Sequence, residues 1–194
     1  MAGPKREELD LMLKMAWKVP GLYGHQEAEF LYTLARRKGN LVEIGCWRGR
    51  TTIILLMAAK VWGAEVTSID PFGKERMPKR YAKLEATAEK WIDGLTRVGL
   101  QPGTLLAMIS DEARQHYDKE ISLLFIDSDH SYKQVKQDLS NWTPLIKVGG
   151  YLVLHDMWFP SLKGLASAIV EWWKPEVWRF LGQVEWTVAF ERIK

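Results

Sequence analysis

The sequence holds a single cysteine, Cys46, so neither an internal disulfide framework nor a multi-cysteine zinc site can form. No apolar run reaches the length of a membrane span. The first residues, Met1-Ala2-Gly3-Pro4-Lys5-Arg6-Glu7-Glu8, lack the apolar segment of a signal peptide. A cytoplasmic location with no membrane partner is therefore expected. An excess of one charge sign is missing too: 27 Lys and Arg face 24 Asp and Glu, a net charge of +3. A nucleic-acid binder gathers its basic residues on one face; the densest basic run here, Lys74 to Lys83, reads instead as a solvated helix start or loop, so no nucleic-acid partner is expected. Linkers, internal repeats and low-complexity tracts are absent. With 47% hydrophobic and 26% charged residues in 194, the composition is that of one globular domain with a full core.

Against these absences stands Leu41-Val42-Glu43-Ile44-Gly45-Cys46-Trp47-Arg48-Gly49-Arg50-Thr51-Thr52. An apolar run ends in an acid, a glycine-bearing turn follows, and a helix is expected from Thr51 to Trp62. Such a unit places backbone N–H groups and the positive end of a helix at the mouth of a parallel sheet. Gly45 can adopt angles closed to other residues, and Gly49 lets a ligand lie close. The third glycine of the dinucleotide fingerprint G-x-G-x-x-G is lacking, and an acid precedes the turn. Glu43 is expected to aim its charge at the mouth, which suits an amine-bearing ligand better than a pyrophosphate and disfavours an NAD-dependent oxidoreductase. The pattern E-x-G-x-x-x-G resembles the first motif of the class I S-adenosylmethionine (SAM)-dependent methyltransferases.

Two amphipathic helices, Glu7 to Lys18 and Gln26 to Arg37, precede this unit. Residues 1–39 thus read as a helical cap, expected over the sheet edge and ligand mouth, and 40–194 as the core. A strand from Glu65 to Ile69 ends at Asp70-Pro71-Phe72. Helices are expected from Ala82 to Leu95, Tyr132 to Thr143 and Lys163 to Trp173. Strands are expected at Thr104 to Ile109, Ile121 to Ile126, Tyr151 to Leu154, Trp178 to Gln183 and Trp186 to Arg192, with Lys147 to Gly150 as a turn. Ligands of open parallel sheets bind beyond the carboxyl ends of the strands. Two such ends carry Asp127, Asp129, His130, His155 and Asp156, ionisable groups that are costly to gather without a ligand, a metal or mutual pairing.

The motif F-I-D-x-D-H-x-Y, followed by G-G-Y and H-D, resembles a branch of these methyltransferases related to small-molecule O-methyltransferases that use a divalent metal. The resemblance runs from about Glu27 to Asp156. It implies an α/β, Rossmann-like three-layer sandwich whose seven-stranded, mostly parallel sheet carries an antiparallel C-terminal strand. It also implies SAM as cofactor and a small-molecule acceptor, methylated on a hydroxyl. Cofactor contacts fall on Glu43, Gly45, Cys46, Trp47, Gly49, Thr51, Asp70 (toward the ribose), Pro71, Phe72, Ser110, Asp111 (toward the adenine) and Asp127. Two chemistries stay open. In one, Asp127 and Asp156 with His155 or Asp129 hold Mg²⁺ or another divalent ion that lowers the hydroxyl pKa. In the other, His130 or His155 takes the proton, with Asp156 beside them. A SAM-binding protein without turnover is the rival function. The Trp-rich tail gives a homodimer a surface.

Overall fold

The computed structural model describes residues 3–73, 86–157 and 163–194. The basic run Lys74 to Lys83, the helix start expected at Ala82, and Trp158 lie outside them. Seven strands, β1 (Asn40–Ile44), β2 (Glu65–Ile69), β3 (Thr104–Leu106), β4 (Ile121–Ile126), β5 (Ile146–Leu154), β6 (Trp178–Val184) and β7 (Thr187–Arg192), form one sheet in the order β3-β2-β1-β4-β5-β7-β6. The first five run parallel, and β7 opposes both its neighbours. The number of strands and their directions match the expected sheet.

Helices α1 (Arg6–Ala16), α2 (His25–Ala35), α3 (Arg50–Trp62) and α4 (Ala88–Arg97) supply Met12, Leu31, Ile54 and Trp91 to a core against Leu41, Leu123, Phe125 and Val153. On the opposite face α5 (Ser110–Ala113), α6 (Tyr132–Trp142) and α7 (Lys163–Trp172) bury Ala113, Leu139 and Ile169 against Val42, Leu124 and Leu152. Every residue of β4 is buried, because both faces of a central parallel strand are covered by helices. The N-terminal helices thus lie beside α3 over one face of the sheet, and α2 also meets the edge strand β6. The loop before α2 and its first turn reach the strand ends, where Tyr23 and Glu27 meet His155.

Two boundaries differ from expectation. The glycine pair at 149–150 does not end a turn but lies within β5: register jumps from Ile121↔Ile146 to Leu123↔Tyr151, and Gly149 at φ +78° absorbs the extra residues as a bulge. β3 ends at Leu106, since Ile109 already stands as the N-cap of α5. Of the described tail tryptophans Trp178 is buried and Trp172 half-buried, the two rings tilted 4.9 Å apart with Trp172 edge-on to Phe190 at 5.8 Å, while Trp173 and Trp186 are exposed. Among the described residues no helix is long and apolar enough to cross a membrane.

Candidate active site

The turn after β1 is built around two glycines. At Gly45, φ is +89°, and an added Cβ would stand 2.0 Å from the backbone oxygen of Asp127. Only glycine lets the loops after β1 and β4 touch. Gly49, at φ +95°, is the N-cap of α3, and its Cβ would stand 3.2 Å from Trp91. Between them the N–H groups of Cys46 and Trp47 donate to Asp70 Oδ2 at 3.0 and 2.8 Å, while Phe72 N–H donates to Oδ1 at 2.7 Å. Burial raises the Asp70 pKa, and these three backbone donors oppose the rise. Asp70 therefore clasps the turn, with Pro71 exposed beside it. Trp47 (φ +44°), Phe72 (φ +53°) and Asp156 (φ +58°) hold left-handed backbone at the ends of β1, β2 and β5. Strain of this kind gathers at functional sites.

Glu43 departs from expectation. Its side chain is fully buried beneath the turn instead of facing the mouth. Oε1 accepts from the Thr51 hydroxyl, and Oε2 accepts from Thr52 at 2.6 Å and Ser68 at 2.9 Å. The Trp91 indole N–H donates to Thr52 Oγ1 at 3.0 Å and extends the network. Burial lifts the Glu43 pKa to about 7, against the pull of the three hydroxyls. Thr51 therefore points inward. Cys46 is buried too, with its thiol pKa raised by burial, and it offers only its backbone.

Beyond β3, Ser110 and Asp111 are both engaged within the protein. The Ser110 hydroxyl donates to Asp138, a buried α6 carboxylate that also accepts from Ser128 at 3.1 Å and Gln134 at 3.0 Å. Asp111 accepts from Asn141 at 3.0 Å. Sequence reasoning missed Asp138, which ties the loops after β3 and β4 to α6; mid-helix position gave it no motif.

The ends of β4 and β5 behave otherwise. His130 Nε2 lies 3.5 Å from Asp127 Oδ1 and 3.4 Å from Asp156 Oδ2. His155 Nδ1 lies 3.2 and 3.6 Å from the same two oxygens, and its Nε2 lies 3.3 Å from Glu27 Oε1. None of these ring nitrogens makes an aligned hydrogen bond; charge holds the group together. Burial works against a charged His155, yet Asp127 and Glu27 outweigh it and raise its pKa to about 11. Asp127 is also opposed by burial, and the two histidines bring it well below the usual carboxylate range. Burial raises Asp156. His130 is raised as well, its desolvation overcome chiefly by Asp127.

Of the expected metal set, the structure does not bring in Asp129, whose Oδ1 accepts from Ser131 N–H at 2.8 Å in the turn before α6. His155 is turned between Glu27 and Asp127. Asp127, His130 and Asp156 do offer ligand atoms within 4.8 Å of one another. Their two carboxylate oxygens already face the nitrogens of two imidazoles at 3.2–3.6 Å. A hard ion such as Mg²⁺ seeks oxygens, and here it would sit against those nitrogens. Mg²⁺ fits this cluster less well than an ion that accepts imidazole, and Asp127, His130 and Asp156 remain a candidate divalent site. Glu27 is the residue the sequence concealed; its only local signal is its place in the first turn of α2, three residues after Gly24.

A family model described as a methyltransferase domain matches residues 42–157, more than half of the chain and all of the mouth from β1 to β5. The O-methyltransferase NovP shares 18% identity at a TM-score of 0.70, over 96% of this chain and 98% of that one. An O-methyltransferase from Bacillus cereus in complex with SAH shares 16% at 0.62, over 97% and 92%. An SAH-bound methyltransferase from Podospora anserina shares 14% at 0.63, over 100% and 90%. At such identities the structures speak for the fold, while the match across the glycine turn and both strand-end clusters speaks for descent: the chain belongs to this methyltransferase-domain family, the class I SAM-dependent methyltransferases.

Proposed function

We propose that the protein methylates a hydroxyl oxygen of a small molecule, with His130 as the proton acceptor. SAM supplies an electrophilic methyl group on a sulfonium. The turn from Gly45 to Gly49 would seat its amino-acid end, Asp70 its ribose, and the loop at Ser110 and Asp111 its adenine. The observation that carries the reading is an asymmetry between two histidines. His155 has a carboxylate on both sides of its ring, and His130 has carboxylates only at Nε2. Among the described residues no contact engages His130 Nδ1. An imidazole anchored by acids at one nitrogen and open at the other is arranged as a general base. His155, held charged, has no lone pair to offer, so the base role expected of either histidine falls to His130. Asp127 and Asp156 hold the imidazolium once it forms.

The same geometry favours chemistry without a divalent ion, for the carboxylates serve the histidines. His130→Ala is expected to lower turnover by about 10²- to 10⁴-fold, the range of a lost general base, with SAM affinity unchanged by calorimetry. Full turnover in that variant would remove His130 from the mechanism. Activity lost on EDTA treatment and regained with Mg²⁺ would restore the metal. A homodimer would use Trp173, Phe180 and Trp186, which are 39–46% exposed near edge strand β6. The buried free thiol of Cys46 suits a reducing, cytoplasmic compartment.

A further inference from the structure

Asp138 has no part in the chemistry above, yet it is fully buried in the middle of α6. Its carboxylate takes donors from three places. Oδ1 accepts the hydroxyl of Ser110, from the start of α5, and the Nε2 amide of Gln134 at 3.0 Å, from one turn earlier in α6. Oδ2 accepts the hydroxyl of Ser128 at 3.1 Å, from the loop after β4. Gln134 Nε2 also donates to Ser110 Oγ at 3.2 Å, which closes a ring of directed bonds. That ring holds the loops after β3 and β4 to one helix.

The same ring fixes which way the Gln134 amide faces. An ionised carboxylate only accepts, and the Ser110 hydroxyl has already given its proton to Asp138. Both partners therefore need a donor from Gln134, and an amide nitrogen carries two N–H groups. Both point inward. Turning the amide over would set its oxygen against a buried carboxylate with no proton between them, a costly encounter away from water. Oε1 is thus forced to the other side, where it meets no donor among the described residues and is not closed off from solvent. The result is a fixed, unpartnered acceptor beside Ser110. The two side chains expected to read the base are occupied instead: Ser110 is bonded to Asp138 and Gln134, and Asp111 is turned toward Asn141 at 3.0 Å.

We propose that Gln134 recognises the adenine of the cofactor: its Oε1 accepts an N–H of the exocyclic amine, and the Asp138 network keeps that oxygen facing the base. The inference deepens the SAM reading above and rests on it. Adenine carries N–H donors at its sixth position, whereas the 6-oxo base hypoxanthine carries an oxygen there. An acceptor that cannot turn over pairs with the first and repels the second. A free glutamine would rotate its amide and take either base. Asp138 removes that freedom.

The test is calorimetric titration of the full chain with two ligands. One is SAH, the cofactor without its methyl group; the other is S-inosylhomocysteine, the same molecule with the 6-oxo base. Wild type should bind SAH about 10- to 100-fold more tightly, as expected for one hydrogen bond exchanged for an unpaired group. Gln134→Met keeps the length of the side chain and removes the oxygen. It should weaken SAH to near the level of the inosine compound and leave the affinity for that compound unchanged or higher. A residue that only supports the fold would weaken both ligands alike, so a Gln134→Met protein with the wild-type ratio overturns the proposal. Wild type that binds the two ligands equally overturns it too, with no variant needed. In both cases SAH still binds, so the SAM reading stands while the assignment of Gln134 falls. Wild type that binds neither ligand overturns both.

Discussion

The two sides of the mouth use acids in opposite ways. Beneath β1 and β2, Glu43 accepts from three hydroxyls and Asp70 from three backbone N–H groups. At the ends of β4 and β5, Asp127, Asp156 and the two histidines meet at 3.2–3.6 Å with no aligned hydrogen bond at the ring nitrogens. A carboxylate whose lone pairs are filled by short, directed donors is a structural part, since moving it breaks several bonds at once. One held only by charge can change partners as a proton moves. The first side therefore shapes the turn, and the second is where proton transfer can take place.

That contrast can be broken at Gly45, where the two sides meet. Gly45→Ala should destabilise the fold by about 3 kcal/mol or more, because the methyl group collides with a backbone oxygen and φ is positive. Denaturant unfolding within a fraction of that value of wild type would show that the two loops do not need their close approach.

Glu43 offers a smaller and pH-dependent effect. Its folded pKa of about 7 lies above the ordinary 4.5. The folded state thus binds the proton more tightly, a contribution fully present below the ordinary value and lost as pH rises through about 7. The loss is on the order of 3 kcal/mol across that span. Glu43→Gln removes it, so the variant should gain on the wild type between about pH 5 and about pH 8. Parallel stability curves would mean that Glu43 ionises without cost.

Asp70 sharpens the comparison most finely. Asp70→Ala should weaken SAM binding by about 1–3 kcal/mol, the value of charged hydrogen bonds, and calorimetry reads it directly. A fall in melting temperature with SAM affinity intact would assign Asp70 wholly to the clasp.

The parts of the site legible in the sequence are those whose partners are local. Gly45 and Gly49 bracket one turn, and Asp127 and His130 share one loop. Asp70 was read correctly as a strand-end acid, but its three backbone donors were invisible because two come from the loop after β1. Glu43 was aimed the wrong way for a related reason: alternation along β1 does not reveal that Thr51, Thr52 and Ser68 converge below it. Asp129 belonged by spacing to the acidic cluster, yet a turn N–H next to it in sequence claimed it. Glu27 and Asp138 sit in amphipathic helices where a buried acid looks like any polar residue of the solvent face.

By itself the sequence determined the succession of strands and helices, the glycine turn, and the acids and histidines at strand ends. These follow from hydrophobic periodicity and backbone freedom, which act within a few residues. A parallel sheet then sends every strand's carboxyl end to one side, so the cluster was bound to form there. Tertiary structure alone decided which acid is satisfied, which histidine keeps an open nitrogen, and that Glu27 meets the hairpin residue Thr187 across 160 residues of chain. Contacts over that span depend on strand order and helix packing, and the protonation of a buried ring depends on them in turn.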